Sequence, residues 1–172
     1  VGRSIFDYIG FTSISDAFVI AYPTNRSTTE QTIEVQLING AATPDPGIRK
    51  LELGAKWDPT KDGSLYGLWA AGDLLIYTIY KWDPHDVTYT TYTTRIGATL
   101  SAPKLLDLGS SENYIVGMAK GGERHYLLYY DDDGYQSDYA SDGYRLRALE
   151  ADGITLSASA VFASRYNDYV NG

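Results

Sequence analysis

The sequence contains no cysteine, and its 172 residues include only 2 histidines. The absence of cysteine excludes disulfide bridges, cysteine zinc sites and a cysteine nucleophile. No apolar run reaches the roughly 18 residues that a membrane-spanning helix needs, so we expect no membrane insertion. Lysine and arginine number 14 against 22 acids, which gives a net charge of −8 and a pI of about 4.6. Because an acidic surface repels phosphate backbones and no basic block is present, we expect no nucleic-acid partner.

Tyrosine is unusually abundant in this chain, with 16 residues against 4 phenylalanines and 3 tryptophans. Tyrosine is favoured in strands, and its apolar ring with a polar tip suits half-exposed surfaces and binding faces. A hydrophobic fraction of 44% is enough to bury a core, and we expect residues 1–172 to form a single domain.

The chain has the pattern of an all-β protein. Segments rich in Val, Ile, Tyr and Thr alternate with clusters of Gly, Pro, Asn and Asp, and no window has the apolar spacing of a helix. Two segments, Leu74–Trp82 and His125–Tyr130, are apolar on both faces, which predicts strands covered on both sides. The predicted strands are Ser4–Ile9, Ala17–Pro23, Gln31–Ile38, Ile48–Leu53, Tyr66–Ala71, Leu74–Trp82, Val87–Ile96, Lys104–Leu108, Tyr114–Lys120, His125–Tyr130, Tyr144–Leu149 and Thr155–Ala163.

A short phrase of small residues recurs along the chain. Ala21, Ala70 and Ala119 lie 49 residues apart in similar surroundings, and a weaker copy follows at Ala160–Ser164. Four antiparallel strands in roughly 50 residues are typical of a β-propeller blade. The spacing therefore predicts a repeat-built antiparallel protein of about three propeller-like units. Because three blades do not close a propeller, we expect a homo-oligomer, for example a dimer with six blades.

A second alignment predicts a different fold. Similar segments begin at Gly40, Gly97 and Gly153, at intervals of 57 and 56 residues. Three such units also describe a β-trefoil, which closes as a monomer. A trefoil is therefore the alternative to the propeller-like arrangement.

The tetrapeptide Lys-Trp-Asp-Pro occurs at 56–59 and again at 81–84. An aromatic ring beside a carboxylate suits a sugar, because apolar C–H faces stack on the ring while hydroxyl groups bind the acid. The competing interpretation is a turn that ends a strand, with the tryptophan packed on the sheet edge. The predicted ligand-binding residues are Trp57, Asp58, Trp69, Trp82, Asp83, Tyr89 and Tyr130.

The stretch 129–143 is the most acidic part of the chain. Its aspartates could surround a calcium ion, and the candidate ligands are Asp131, Asp133 and Asp138. The order of ligands in an EF-hand is not met, and a solvated hairpin loop is the alternative. No other cofactor is expected.

Sequence motifs of catalysis do not stand out. His85 and His125 have acids nearby, but HExxH, GxSxG and phosphate-loop patterns are absent from the sequence. A repeat-built β chain that presents Trp and Tyr beside acids resembles the oligomeric propeller lectins in architecture. We therefore expect a non-catalytic, lectin-like module that binds glycans, with one shallow site in each repeat.

Two other functions fit the same pattern. Unpaired strand edges favour a structural subunit of an extracellular assembly, such as a filament, capsid or surface layer. A trefoil would favour a protease inhibitor, with Ala41–Gly47 or Asp131–Gly143 as the contact loop. A first residue other than methionine, Val1, and the glycosylation triplet beginning at Asn25 favour a secreted or cell-surface location.

Overall fold

The computed structural model describes residues 9–14, 17–39, 48–84, 86–131, 143–157 and 160–164. These residues form β-strands and turns without any helix, which confirms the all-β class. The described residues thus contain no helix that is long and apolar enough to cross a membrane. The strands are β1 (Gly10–Ile14), β2 (Ala17–Ser27), β3 (Glu30–Asn39), β4 (Ile48–Glu52), β5 (Ser64–Ala71), β6 (Leu74–Asp83), β7 (Asp86–Arg95), β8 (Lys104–Leu106), β9 (Tyr114–Gly121), β10 (Arg124–Asp131), β11 (Gly143–Leu149) and β12 (Ala160–Ser164).

The strands form three antiparallel sheets, and each sheet is built from four strands that follow one another in the chain. We name them sheet 1 (β1–β4), sheet 2 (β5–β8) and sheet 3 (β9–β12). In every sheet the strands lie in sequence order from one edge to the other. Strand β5 contacts both β1 and β9, so the first strands of the three sheets lie side by side.

Sheet 2 lies between the other two sheets and is covered on both faces. Leu75, Tyr77 and Ile79 of β6 pack into a core shared with sheet 1, which includes Val19 and Val35. On the opposite face, Leu74 and Ile76 pack into a second core with residues of sheet 3, namely Ile115, Leu127 and Tyr129. The prediction that β6 is covered on both sides is therefore confirmed.

Strand β10 is only partly like β6. Leu127 and Tyr129 are buried in the second core, whereas on the other face Tyr126 and Leu128 are half-buried and Tyr130 is buried. That face looks away from sheet 2 and is covered by no sheet in the part of the chain that the structure describes.

Two tight turns fix the hairpins that start sheets 2 and 3. Gly72, with φ of 56°, lies between the paired residues Ala71 and Leu74. Gly122, with φ of 62°, occupies the same place between β9 and β10. Two-residue loops of this kind need a positive φ, which glycine adopts without strain.

At both ends of the chain, the strands in the structure differ from the predicted strands. The predicted strand Ser4–Ile9 lies outside the described residues apart from Ile9, which precedes β1, and the strand Gly10–Ile14 was not predicted. Near the other end the strand is Ala160–Ser164, because Leu156 belongs to the preceding turn and bridges back to Leu149.

The two sequence periods have different structural meanings. Ala70 and Ala119 lie on the first strands β5 and β9, but Ala21 lies on β2, the second strand of sheet 1. The interval of 49 residues therefore relates corresponding strands of sheets 2 and 3, but it does not extend to sheet 1. Gly97 and Gly153 instead both lie in the turn after the third strand of their sheet, while Gly40 lies outside the described residues.

The turns after β7 and β11 share one hydrogen-bond arrangement. Ser101 donates its backbone N–H to the carbonyl of Arg95 at 2.9 Å, and its Oγ accepts the N–H of Arg95 at 2.8 Å. Ser157 makes the same two bonds with Ala148, each at 2.9 Å. The two serines lie 56 residues apart, so this interval relates corresponding turns of sheets 2 and 3.

Candidate functional site

Six tyrosines lie in continuous contact across one end of sheets 2 and 3. Neighbouring rings have centroids 4.8–6.3 Å apart, within or near the range of favourable aromatic pairs. We call this group the tyrosine cluster: Tyr66, Tyr80, Tyr89, Tyr114, Tyr130 and Tyr144.

Strand register brings these rings together. Tyr80 pairs with Tyr89, and Tyr130 pairs with both Tyr114 and Tyr144. Tyr66 lies in the β-bulge of β5, where its ring contacts Tyr80, Tyr89 and Tyr114 and so joins the two sheets. Cross-strand aromatic pairs stabilise a sheet by about 0.2–1 kcal/mol each, so the cluster also contributes to packing.

An exposed tryptophan lies near the tyrosine cluster on β6. Trp82 lies two residues beyond Tyr80 on β6 and therefore on the same face, and it is 65% exposed. Asp83 follows it at the end of the strand and is also exposed. Four residues of the predicted sugar site, Trp82, Asp83, Tyr89 and Tyr130, thus come from the same end of sheets 2 and 3.

A cavity of about 340 Å³ opens beside Tyr89. Its wall combines strands β7 and β8 with the loop that leads to β9, and its lining residues include Thr90, Ser110, Ser111 and Asp107. Its volume falls at the lower end of the range for small-molecule sites. Tyr89 belongs to both the cavity and the tyrosine cluster, so one ligand could contact both.

Trp57 and Asp58 lie elsewhere, at the boundary of sheets 1 and 2. The Trp57 ring is half-buried and stacks on Tyr77, with centroids 5.9 Å apart and planes 16° apart. Its Nε1 has no hydrogen-bond partner among the described residues. Asp58 accepts hydrogen bonds from the backbone and the hydroxyl of Thr60 at 2.9 and 2.6 Å. The Thr60 hydroxyl is the main reason that the Asp58 pKa lies below its usual value, and Lys61 adds to the effect. Here the structure resembles the turn that the sequence offered as the competing interpretation.

Trp69 lies between sheets 2 and 3. Its half-buried indole packs against the second core and covers Gly67, two residues earlier on the same face of β5. Its ring is therefore engaged in packing and is separate from the tyrosine cluster's exposed end.

Asp131 is occupied by protein partners. Its Oδ1 accepts a hydrogen bond from Asn113 Nδ2 at 2.6 Å, and its Oδ2 forms an ion pair with Arg145. Asp133 and Asp138 lie outside the described residues. Within the described ranges, no group of three or more His, Asp or Glu side chains is placed to hold a metal ion.

A second, larger cavity of about 630 Å³ lies where β1, β5 and β9 end. Asp73 and Lys120 line it, together with Thr12 and Ser13. Beside it, His125 is almost fully buried, and its Nε2 lies 2.8 Å from the carbonyl oxygen of Ala71. Burial is the main cause that lowers the His125 pKa. Because the ring nitrogen binds a carbonyl, it carries the proton and the imidazole acts as a structural donor. The other histidine, His85, lies outside the described residues.

Sequence reasoning missed four members of the tyrosine cluster: Tyr66, Tyr80, Tyr114 and Tyr144. Each lies near a strand end, and the available signal was that all these ends fall on one side once the strands are paired in sequence order. No protein-family model matches this chain, and no curated protein matches it.

Proposed function

We propose that this chain is a non-catalytic carbohydrate-binding module, and that it binds its ligand at the end of sheets 2 and 3 that carries the tyrosine cluster. The observation that supports this proposal is the exposed ring of Trp82, which lies on the same face of β6 as Tyr80, a member of the tyrosine cluster. Soluble proteins seldom expose a tryptophan to this extent without a reason, and exposed aromatic residues often mark binding surfaces.

The chemistry of this surface fits a sugar better than an apolar ligand. Rings of Trp82 and Tyr80 offer faces on which C–H groups stack, while tyrosine hydroxyls and the carboxylate of Asp83 bind hydroxyl groups. The cavity beside Tyr89 is lined by threonine and serine residues and could receive one sugar unit. A glycan ligand fits a secreted or cell-surface location, which belongs to the same proposal.

The proposed site differs from the site in every repeat that the sequence suggested. Trp57 stacks on Tyr77 and Trp69 covers Gly67, so both rings already serve the packing between sheets. Asp58 is bound within its own turn. We therefore propose one aromatic site in each chain, with Trp82 as its stacking ring.

The architecture that we propose for this module is propeller-like. Each sheet is a four-stranded meander, and the first strands β1, β5 and β9 lie side by side, as the inner strands of blades do. Corresponding contacts also recur between sheets. Arg49 of β4 donates to the carbonyl of Gly97 at 2.7 Å, and Lys104 of β8 donates to that of Asp152 at 3.0 Å. The trefoil alternative offers no reason for three separate meanders.

A glycan-array screen of the labelled protein, with and without calcium, tests the function. We expect saturable binding to a related set of saccharides. The Trp82→Ala variant should bind them at least about tenfold more weakly, since loss of one stacking ring costs about 0.5–1.5 kcal/mol beyond the lost contact area. Asp83→Asn should also weaken binding.

Ile154→Ala is the matched control, because Ile154 is an apolar residue, 39% exposed, in the turn after β11 and outside the tyrosine cluster and the cavity beside Tyr89. This variant should bind sugars as the unmodified protein does. A blank array under both conditions, or equal binding by the Trp82→Ala protein, would contradict the proposed function.

A further inference from the structure

The three sheets are stacked with a consistent direction. We call the face of a sheet that packs on the preceding sheet its front face, and the face that packs on the following sheet its back face. On β6 the front face carries Leu75 and Tyr77, and the back face carries Leu74 and Ile76. The back face of sheet 1 contacts the front face of sheet 2, and the back face of sheet 2 contacts the front face of sheet 3. This leaves the front face of sheet 1 and the back face of sheet 3 without a neighbouring sheet in the described structure.

The front face of sheet 1 is apolar over much of its area. Phe11 and Phe18 stack with ring centroids 6.2 Å apart and are 62% and 50% exposed. Register places Ile38 beside Phe18 and the exposed Ile48 beside Ile38. Charged and polar groups gather near the far end of the same face, where Tyr22, Glu34 and Gln36 are linked by hydrogen bonds.

The back face of sheet 3 is also uncharged on its two central strands. Three cross-strand pairs form it: Tyr126 with Ala148, Leu128 with Leu146, and Tyr130 with Tyr144. Leu128 and Leu146 are half-buried, and Tyr144 is exposed. This face corresponds in position to the face of sheet 2 whose residues Leu74 and Ile76 are buried against sheet 3, and we expect it to be covered in the same way.

We propose that a second copy of this chain covers both faces, with the back face of sheet 3 in each copy packed on the front face of sheet 1 in the other. Such a contact continues the front-to-back packing that already joins sheets 1 and 2 and sheets 2 and 3. Two identical contacts related by a twofold axis then close a ring of six sheets. A contact between two copies of the same face would break the stacking direction that the chain itself follows.

The chemistry of the two faces is complementary in this arrangement. Inside the chain, matching strand ends meet across sheet boundaries, as Tyr66 and Tyr114 show. The same alignment places the apolar end with Phe18 against Leu128 and Tyr126. It places the polar end with Glu34 and Gln36 against the exposed side chain of Tyr144. The inference rests on the sheet packing. It shares Tyr130 and Tyr144 of the tyrosine cluster with the proposed sugar site, whereas Trp82 and Tyr89 belong to sheet 2 and lie outside the two faces.

Sedimentation equilibrium at several micromolar concentrations measures the mass, which we expect to be twice the 19.0 kDa of one chain. Two variants, Phe18→Asp and Leu128→Asp, each place a carboxylate in one of the two faces. Each should raise the dissociation constant of self-association at least about 30-fold, as for a residue at the centre of an interface. Ile154→Asp is the matched control, since Ile154 is 39% exposed in the turn after β11 and should leave the mass unchanged.

Mixing the two variants distinguishes the proposed contact from others. Each variant retains one intact face, so the mixture should regain one contact and form heterodimers, whereas neither variant pairs with itself. If the wild-type chain stays monomeric, the proposal is wrong, and the two faces are left for a different partner. A Leu128→Asp protein that still dimerises while Phe18→Asp does not would also overturn it, because front faces would then pair with each other. If circular dichroism shows that either variant is unfolded, Phe11→Asp and Leu146→Asp replace them on the same faces.

Discussion

Gly67→Ala gives a sharp test of how sheets 2 and 3 are packed around Trp69. Gly67 is buried in β5, and a Cβ atom built on it would overlap Cη2 of the Trp69 indole and lie 2.6 Å from its Cζ2 and Cζ3 atoms. Carbon atoms in favourable contact are about 3.5–4.0 Å apart, so the indole would have to move by more than about 1 Å. The ring packs against the second core and therefore has little room to move.

The net effect combines two terms of opposite sign. Overpacking a filled core costs about 1–3 kcal/mol. Replacing glycine by alanine at an unstrained position stabilises by about 0.4–1 kcal/mol, because the unfolded chain loses freedom. We expect Gly67→Ala to lower the free energy of unfolding by about 1–2 kcal/mol.

Urea unfolding in two backgrounds isolates the cause. Trp69→Leu removes the six-membered ring that covers Gly67, so in that background Gly67→Ala should be neutral or stabilising. This reversal of sign is the expected result. An equal loss of stability with and without the tryptophan would refute the reasoning, because the cost would then come from the backbone of β5.

Three further results are expected from the buried polar groups and the acidic stretch. Thr78 and Thr91 share a buried hydrogen bond of 2.9 Å, so Thr78→Val should lower the free energy of unfolding by about 1–3 kcal/mol, while the double valine variant should unfold near the wild-type urea midpoint. Burial lowers the pKa of His125 below the ordinary 6.5, so the unfolded chain binds this proton first as the pH falls. Stability should decline as the pH falls from about 7, and His125→Gln, which keeps a donor for Ala71, should flatten this part of the urea-midpoint profile. Calorimetric titration with calcium should give the same result for the wild-type protein and for the Asp131→Asn variant, since the Asp131 carboxylate is already paired with Arg145. Calcium binding that is present in the wild type and lost in the variant would contradict this assignment.

Much of the fold follows from local patterns in the sequence. Alternation of side chains identified the strands, and the two-faced apolar segment Leu74–Trp82 indicated the central sheet correctly. Glycine and aspartate turns such as Gly72-Asp73 fixed the hairpins, because the need for positive φ is a local property. The first strand Gly10–Ile14 was missed, since its few residues alternate too briefly to give a clear signal.

The candidate site could be predicted only in part, because it depends on contacts between distant segments. Trp82 and Trp57 occur in identical tetrapeptides, yet one is exposed and the other stacks on Tyr77. The tetrapeptide does not determine whether its tryptophan is exposed or packed. Strand register and the neighbouring sheet determine it. The tyrosine cluster likewise joins rings from β5 to β11, and only the pairing of those strands reveals that they meet.

The central position of sheet 2 has a consequence for how the protein is made. On the ribosome, sheet 1 is complete before sheet 2, and sheet 2 is complete before β9 emerges. During that interval Leu74 and Ile76 of β6 have no partner from sheet 3, although both are fully buried in the finished protein. Exposed apolar strands of this kind promote aggregation. We therefore expect the nascent chain to become less prone to aggregate once sheet 3 has been synthesised and covers these residues.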